Sequence, residues 1–263
     1  MGFNNFVEKY YGGDYQVSRF GLDSSGHPTS KRMLGTMGNP NDNAILFLFF
    51  LIYFFNEDSN NIKNKILFYL ATLALFFCQS RTGFTAFVVI YVMGVFLYKL
   101  SLKSIITDTL IFIAMYSLQL LMGNLYINSL AGNIAENTSL NARFEVWKML
   151  FQMIKQKPFF GYAPNKEFFD ANKIYADNQY VLIAWRYGFV GFLLFMLWIG
   201  YGFLMSIKNK IHPHAKHLLL FLTVIIITSI TNAPLNNAKI IVMLAIYTGM
   251  YFNGKHIAQK EMQ

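Results

Sequence analysis

Residues 137–188 read NTSLNARFEVWKMLFQMIKQKPFFGYAPNKEFFDANKIYADNQYVLIAWRYG, the only long polar interval between apolar segments. The stretch opens on Asn137, Thr138 and Ser139, side chains suited to capping a helix. Apolar Phe144, Trp147, Met149, Leu150, Phe151 and Ile154 then interleave with Arg143, Glu145, Lys148, Gln152 and Lys155. That pattern predicts a short amphipathic helix, of the kind that lies along a membrane surface. Lys157-Pro158 stops it, and Gly161 and Pro164 force turns. The interval closes at Asp177-Asn178, where a long apolar run begins.

Outward from this interval the chain is apolar. Of 263 residues, 55% are hydrophobic and only 13% are charged, against about 25% in ordinary soluble domains. Runs near 42–56, 64–79, 83–100, 104–122, 179–206, 217–231 and 239–252 predict seven membrane spans, the shorter ones using their polar flanks to reach about 17–25 residues. The expected fold is all-α: a polytopic transmembrane helix bundle with one large outer-face loop holding short amphipathic helices. The expected organisation is an outer-face segment at 1–40, four spans within 41–122, the large loop at 123–178, and three spans with a cytoplasmic tail at 179–263. Residues 1–40 hold no early apolar stretch, so no signal peptide is visible.

Lysine placement suggests an orientation. If the C-terminal tail is cytoplasmic, the loops carrying Lys63 and Lys65, Lys99 and Lys103, and Lys208, Lys210 and Lys216 are cytoplasmic too, which satisfies the positive-inside rule. All five arginines, Arg19, Arg32, Arg81, Arg143 and Arg186, then fall outside. Topology does not demand this split. Arginine differs from lysine in its planar fork, which grips phosphate or carboxylate at two points. Arg81 sits in Gln79-Ser80-Arg81-Thr82-Gly83, a tight turn between spans, and charges at such depth usually face a cavity. Arg186 lies about two turns into the fifth span, where it either serves a substrate or snorkels to the surface. Asp177 and Asn178 stand at the mouth of that span. Either could cap it, and Asp177 could also serve as a general base for a substrate hydroxyl. Arg32, Arg186 and Asn178 are the candidate substrate-binding residues.

Other classes are disfavoured. The net charge of +9 is explained by lysines that set topology and touch anionic membrane lipid, so no nucleic-acid partner is expected. Cys78 is alone in an apolar run, which excludes a disulfide framework. His212, His214 and His217 crowd into HPHAKH with no carboxylate or cysteine close by, and they read as a hydrated basic loop rather than a metal site. The loop aromatics read as an interfacial belt. No Walker-type phosphate loop is present.

Several short motifs occur in a telling order. They are Gly35-Thr36-Met37-Gly38-Asn39-Pro40-Asn41 before a span, Ser80-Arg81-Thr82-Gly83 at a turn, and Arg143 with Trp147 opening the outer loop. Pro158-Phe159-Phe160-Gly161-Tyr162, Asp177-Asn178-Gln179-Tyr180 and Tyr187-Gly188-Phe189-Val190-Gly191 follow. Over residues 30–200 this series resembles the O-antigen polymerase and O-antigen ligase family. The resemblance implies a metal-independent membrane glycosyltransferase, without cofactor, in the bacterial inner membrane. Undecaprenyl diphosphate-linked glycan would be donor and acceptor at the outer face, and a chain-length regulator protein is a further partner.

It further implies that Arg81 and Arg143 match the family's functional arginines, binding the departing diphosphate, while Asp177 takes the acceptor proton. Ligase relatives carry histidine where this chain has Asp177, which points toward polymerisation of repeat units into O-antigen or capsular polysaccharide. Ligase-type transfer remains an alternative. So does a lipid-linked oligosaccharide transporter, although no internal repeat supports it, and a non-catalytic scaffold is a further rival. The family usually has ten or more spans, so seven implies that N-terminal spans are missing here.

Overall fold

The computed structural model describes residues 22–23, 32–33, 37–55, 61–121, 138–164, 167, 171, 176–210 and 212–261. Apart from an antiparallel two-residue ladder, β1 (Leu22–Asp23) with β2 (Arg32–Met33), the described regular structure is helical. Eight α-helices follow: α1 (Pro40–Phe54), α2 (Ile62–Phe77), α3 (Arg81–Tyr98), α4 (Leu102–Leu121), α5 (Thr138–Gln156), α6 (Gln179–Lys208), α7 (Pro213–Thr228) and α8 (Ala238–Glu261). Within the described residues every apolar run is mainly helical, and α5 occupies the amphipathic stretch of the polar interval. Among the described residues two helices, α3 and α6, are long and apolar enough to cross a membrane by length and composition. Three others, Pro40–Phe54, Pro213–Thr228 and Ala238–Asn253, are apolar but shorter.

The chain forms two compact units, Met1–Ala131 and Gly132–Gln263. In the first, Asn39 caps α1 by accepting from the Asn41 amide, and Pro40 supplies the preset φ of a first helical residue. Asn61 and Ser80 cap α2 and α3 in the same way. Ala44, Ile45, Leu48, Leu51 and Ile52 of α1 are fully buried, as are Ala86 and Ile90 of α3 to within a percent. Gly83 and Gly94 of α3 permit close approach: a Cβ on the first would meet Ala44 at 2.7 Å, and on the second the Phe55 ring at 2.6 Å.

In the second unit α7 is buried along most of its length, as a helix that is hydrophobic all round must be. Its N-terminus lies earlier than the apolar run suggests, at Pro213, so Lys216 is a buried residue of the first helical turn rather than a loop lysine. Leu150 of α5 packs with Val181, Leu182 and Trp185 of α6, and Tyr162 stacks on Trp185 with centroids 5.7 Å apart. The largest departure from expectation is α6. It is not one continuous rod, because Gly188 has φ +65° and ψ −164° and breaks it.

Candidate functional site

In the second unit, four consecutive side chains at the head of α6 have separate tasks. Asn178 is the N-cap: its Oδ1 accepts from the Val181 amide at 3.0 Å, and its Nδ2 donates to the Ile230 carbonyl at 2.9 Å. The backbone N–H of Gln179 donates to the Ser229 and Asn232 carbonyls, and its side-chain oxygen accepts from the Leu235 amide at 2.9 Å. Tyr180 donates to the Ile226 carbonyl at 2.8 Å. These bonds fix the head of α6 to the end of α7 and the turn after it. Asn178 is buried and both ends of its amide are engaged in this way.

Asp177 faces elsewhere. Its Oδ2 accepts from Nε of Arg143 at 3.2 Å, with the arginine side chain 23% exposed and the aspartate 42% exposed. The two come together because α5 and the first half of α6 share the Leu150–Trp185 core. A candidate base and a candidate phosphate-binding arginine, 34 residues apart in sequence, therefore form one accessible ion pair. It can hold an anion on the guanidinium and receive a proton on the carboxylate. One turn on from Arg143, Trp147 packs edge-on against Phe144, and its indole N–H is buried with no acceptor among the described residues.

The break in α6 is matched by the turn after α5. Phe189 and Val190 donate to the Pro158 and Phe159 carbonyls at 2.7 and 3.2 Å, and Tyr162 and Ala163 donate to the Trp185 and Arg186 carbonyls at 3.0 and 2.7 Å. Backbone groups released by the break are thus satisfied by the loop. Both glycines of this clamp are required. Each has positive φ, and a Cβ on Gly188 would collide with the Phe159 carbonyl, while one on Gly161 would lie 2.6 Å from that of Arg186. Arg186 itself is half-buried, and its Nη1 donates to Asn236 Oδ1 at 3.0 Å.

In the first unit, Ser80 Oγ donates to Asn41 Oδ1 at 2.9 Å and accepts from the Gly83 amide at 3.1 Å. Two of the sequence motifs are therefore joined at the N-termini of α1 and α3. Arg81 is the first residue of α3 and its side chain is exposed. Arg32 contributes backbone to the β1–β2 ladder, and its side chain lies outside the described residues. The sequence reading missed one group altogether. Asp108 of α4 is 8% exposed, and its two carboxylate oxygens accept from Tyr69 at 2.6 Å and Tyr91 at 2.9 Å. The signal was an acidic residue inside an apolar run.

The rings of His212, His214 and His217 stand in series, 5.3 and 6.0 Å apart. Among the described residues no group of three or more His, Cys, Asp or Glu is placed to hold a metal ion.

Residues 66–196, about half of the chain, match the family profile described as O-antigen ligase, Wzy_C. The chain belongs to the O-antigen ligase family. The match takes in Ser80-Arg81, Arg143, the α6 clamp and Asp177. Among curated proteins, the chain is 26% identical over 217 residues to the ComP-specific O-oligosaccharyltransferase of Acinetobacter baylyi. That alignment covers 74% of this chain but 39% of the relative, so the chain spans about two fifths of the length of the curated protein it matches. Membership of the O-antigen ligase family and the two helices long and apolar enough to cross a membrane fit a membrane protein.

Proposed function

We propose that the chain transfers a lipid-linked oligosaccharide to an acceptor hydroxyl at the outer face of the bacterial inner membrane, its apolar helices forming up to seven spans. The observation that carries this reading is the Arg143–Asp177 pair: a guanidinium and a carboxylate held together, both partly exposed, at the head of α6. The donor is an undecaprenyl diphosphate-linked glycan. The acceptor oxygen attacks the anomeric carbon, and the bond from that carbon to the diphosphate oxygen breaks. The lipid diphosphate leaves with the bonding electrons. Asp177 takes the hydroxyl proton, and Arg143 stabilises the charge that grows on the diphosphate. Pairing also orients the carboxylate, which a general base requires before any question of its basicity arises. No cofactor or metal enters these steps. Arg81, in the other unit, is proposed as a separate contributor.

Two acceptors are consistent with this chemistry. Asp177, standing where ligase relatives carry histidine, favours polymerisation, in which the acceptor is another lipid-linked repeat unit. The family description and the oligosaccharyltransferase relative favour transfer of the glycan to a different molecule. Membranes containing the protein, supplied with purified lipid-linked repeat unit alone, separate the two. Polymerisation produces a ladder of lengthened glycans without any other acceptor. Transfer to a different acceptor leaves single units until that acceptor is added. Unchanged lipid-linked unit under both conditions would sink the glycan-transfer reading.

A further inference from the structure

The two halves of α6 inhabit different surroundings. Before the break, Gln179, Val181, Leu182, Ile183 and Trp185 are buried in the folded unit. After it, Phe189, Leu193, Leu194, Leu197, Trp198 and Leu204 are apolar and exposed. Residues 189–208 carry no charge before Lys208. At about 1.5 Å per residue these twenty residues measure roughly 30 Å, the thickness of the hydrocarbon core. The second half alone therefore meets the length of a crossing, and a crossing of that length would begin at Gly188. The loop joined to the break fits that level. Its backbone groups are satisfied by the clamp, and Phe159 and Phe160 are 64% and 78% exposed, as interfacial aromatics are.

Arg186 stands two residues before this boundary. Asn236 holds its Nη1, but its Nε is buried and has no acceptor among the described residues. The ion pair found there joins Arg143 to Asp177, and no described carboxylate faces Arg186. A buried donor without an acceptor is costly and uncommon. A guanidinium matches two oxygens of a phosphate at once.

We propose that Arg186, restrained by Asn236, binds a phosphate of the lipid carrier at the bilayer surface. The proposal rests on the glycan-transfer reading above and names the part of that substrate which Arg186 recognises. A carrier whose tail lies in the bilayer presents its diphosphate at headgroup depth, where the break in α6 places Arg186. Ordinary anionic headgroups share this phosphate chemistry, so the test must separate the two sources.

The full chain in phosphatidylcholine nanodiscs is titrated with undecaprenyl diphosphate and with undecaprenol, which lacks phosphate. Competition by phosphatidylglycerol is measured in parallel, and thermal unfolding checks each variant. Undecaprenyl diphosphate binds and undecaprenol does not. Arg186→Gln weakens binding about tenfold or more, the worth of one hydrogen bond to a charged group, and Arg186→Lys restores only part of it. Phosphatidylglycerol in roughly tenfold excess leaves the affinity within a factor of about two, since a single phosphate reproduces only part of the contact.

Equal affinity of wild type and Arg186→Gln overturns the proposal. Displacement by phosphatidylglycerol also overturns it, because the site then belongs to the bulk lipid. Should Arg186→Gln fail to fold, Asn236→Ala carries the test, since it keeps the charge and releases the arm. It weakens binding about threefold, and an unchanged affinity there overturns the assignment. Binding is read without transfer, so failure here and failure of the glycan-transfer reading are separately visible.

Discussion

At the scale of single residues, the pairing of Arg143 with Asp177 separates stability from activity. Both side chains are partly exposed, and such pairs contribute only about 0.2–1 kcal/mol to folding. Asp177→Asn is therefore expected to leave the unfolding temperature and abundance near those of wild type. The same substitution removes a positioned base, typically worth about 10²–10⁴-fold in rate. Arg143→Lys keeps the charge but loses the planar fork. A hydrogen bond to a charged group is worth about 1.5–3 kcal/mol, so turnover is expected to fall by about 10- to 150-fold. Lys148→Gln, one turn along α5, serves as the control and is expected to retain activity. Glycan transfer by membranes matched for protein level reads all three, and wild-type rates for Asp177→Asn would reduce the pair to a surface contact. Sequence pattern placed Asp177 and Asn178 at the head of the helix. It could not decide which one caps, because one residue of register separates a side chain that closes on the Val181 amide from one that faces Arg143.

At the scale of elements, the clamp between α6 and the Pro158–Ala163 turn converts two glycines into structural requirements. Gly188→Ala and Gly161→Ala each force a side chain into positive φ, costing about 1–2 kcal/mol, and each adds a collision with backbone that cannot swing away. Both variants should unfold at lower temperature than wild type, and protease sensitivity should rise first near Phe159-Phe160. A control such as Gly200→Ala meets nothing within 4 Å and should be neutral or slightly stabilising. The apolar pattern runs through Gly188 without interruption, so hydropathy alone reads one long helix. The break is set by a partner loop some thirty residues earlier, and non-local backbone pairing leaves no periodic trace. Asp108 makes the complementary point within the first unit. Its carboxylate ties α2, α3 and α4 through Tyr69 and Tyr91. Asp108→Asn keeps an acceptor oxygen for one phenol and turns an NH2 donor toward the other, whose hydroxyl can accept instead, so it should lose less stability than Asp108→Ala. Asp108→Ala leaves two partly buried hydroxyls without it, a loss of about 1–3 kcal/mol, although comparable bonds inside membranes average nearer 0.6 kcal/mol each. Thermal unfolding in nanodiscs distinguishes the two. Equal loss in both variants would mean that the charge, and not the hydrogen bonding, holds these helices.

At the scale of the whole molecule, the helices were legible because burial in lipid or protein demands long apolar runs, and each run is mainly helical within the described residues. Their ends were less so: α7 begins at Pro213 and takes Lys216 into its buried first turn. That residue no longer counts among the loop cations, and the expected orientation rests on the remaining lysines. Lys208 ends α6 and Lys210 follows in the short link to α7, while Lys99 and Lys103 flank the link between α3 and α4. Within the second unit, the Arg143–Asp177 pair and the turn carrying Asn236 stand at the other end of α6 and α7 from Lys208 and Lys210. Lysine near span ends biases a loop toward the cytoplasm. A chemistry that consumes a glycan on the outer face needs its guanidinium groups on the other side. A phosphatase reporter fused after Asn237 should therefore be active only when exported, and one after Lys210 should be silent, with a cytoplasmic reporter giving the reverse pattern at both sites. Exchanging Lys208 and Lys210 for glutamine should weaken this bias without touching Arg143 or Asp177. Activity of the phosphatase at Lys210 in the unaltered chain would place the head of α6 and its ion pair in the cytoplasm. Undecaprenyl diphosphate-linked glycan presented at the outer face could not reach Asp177 there, and the proposed transfer would fail on geometry alone.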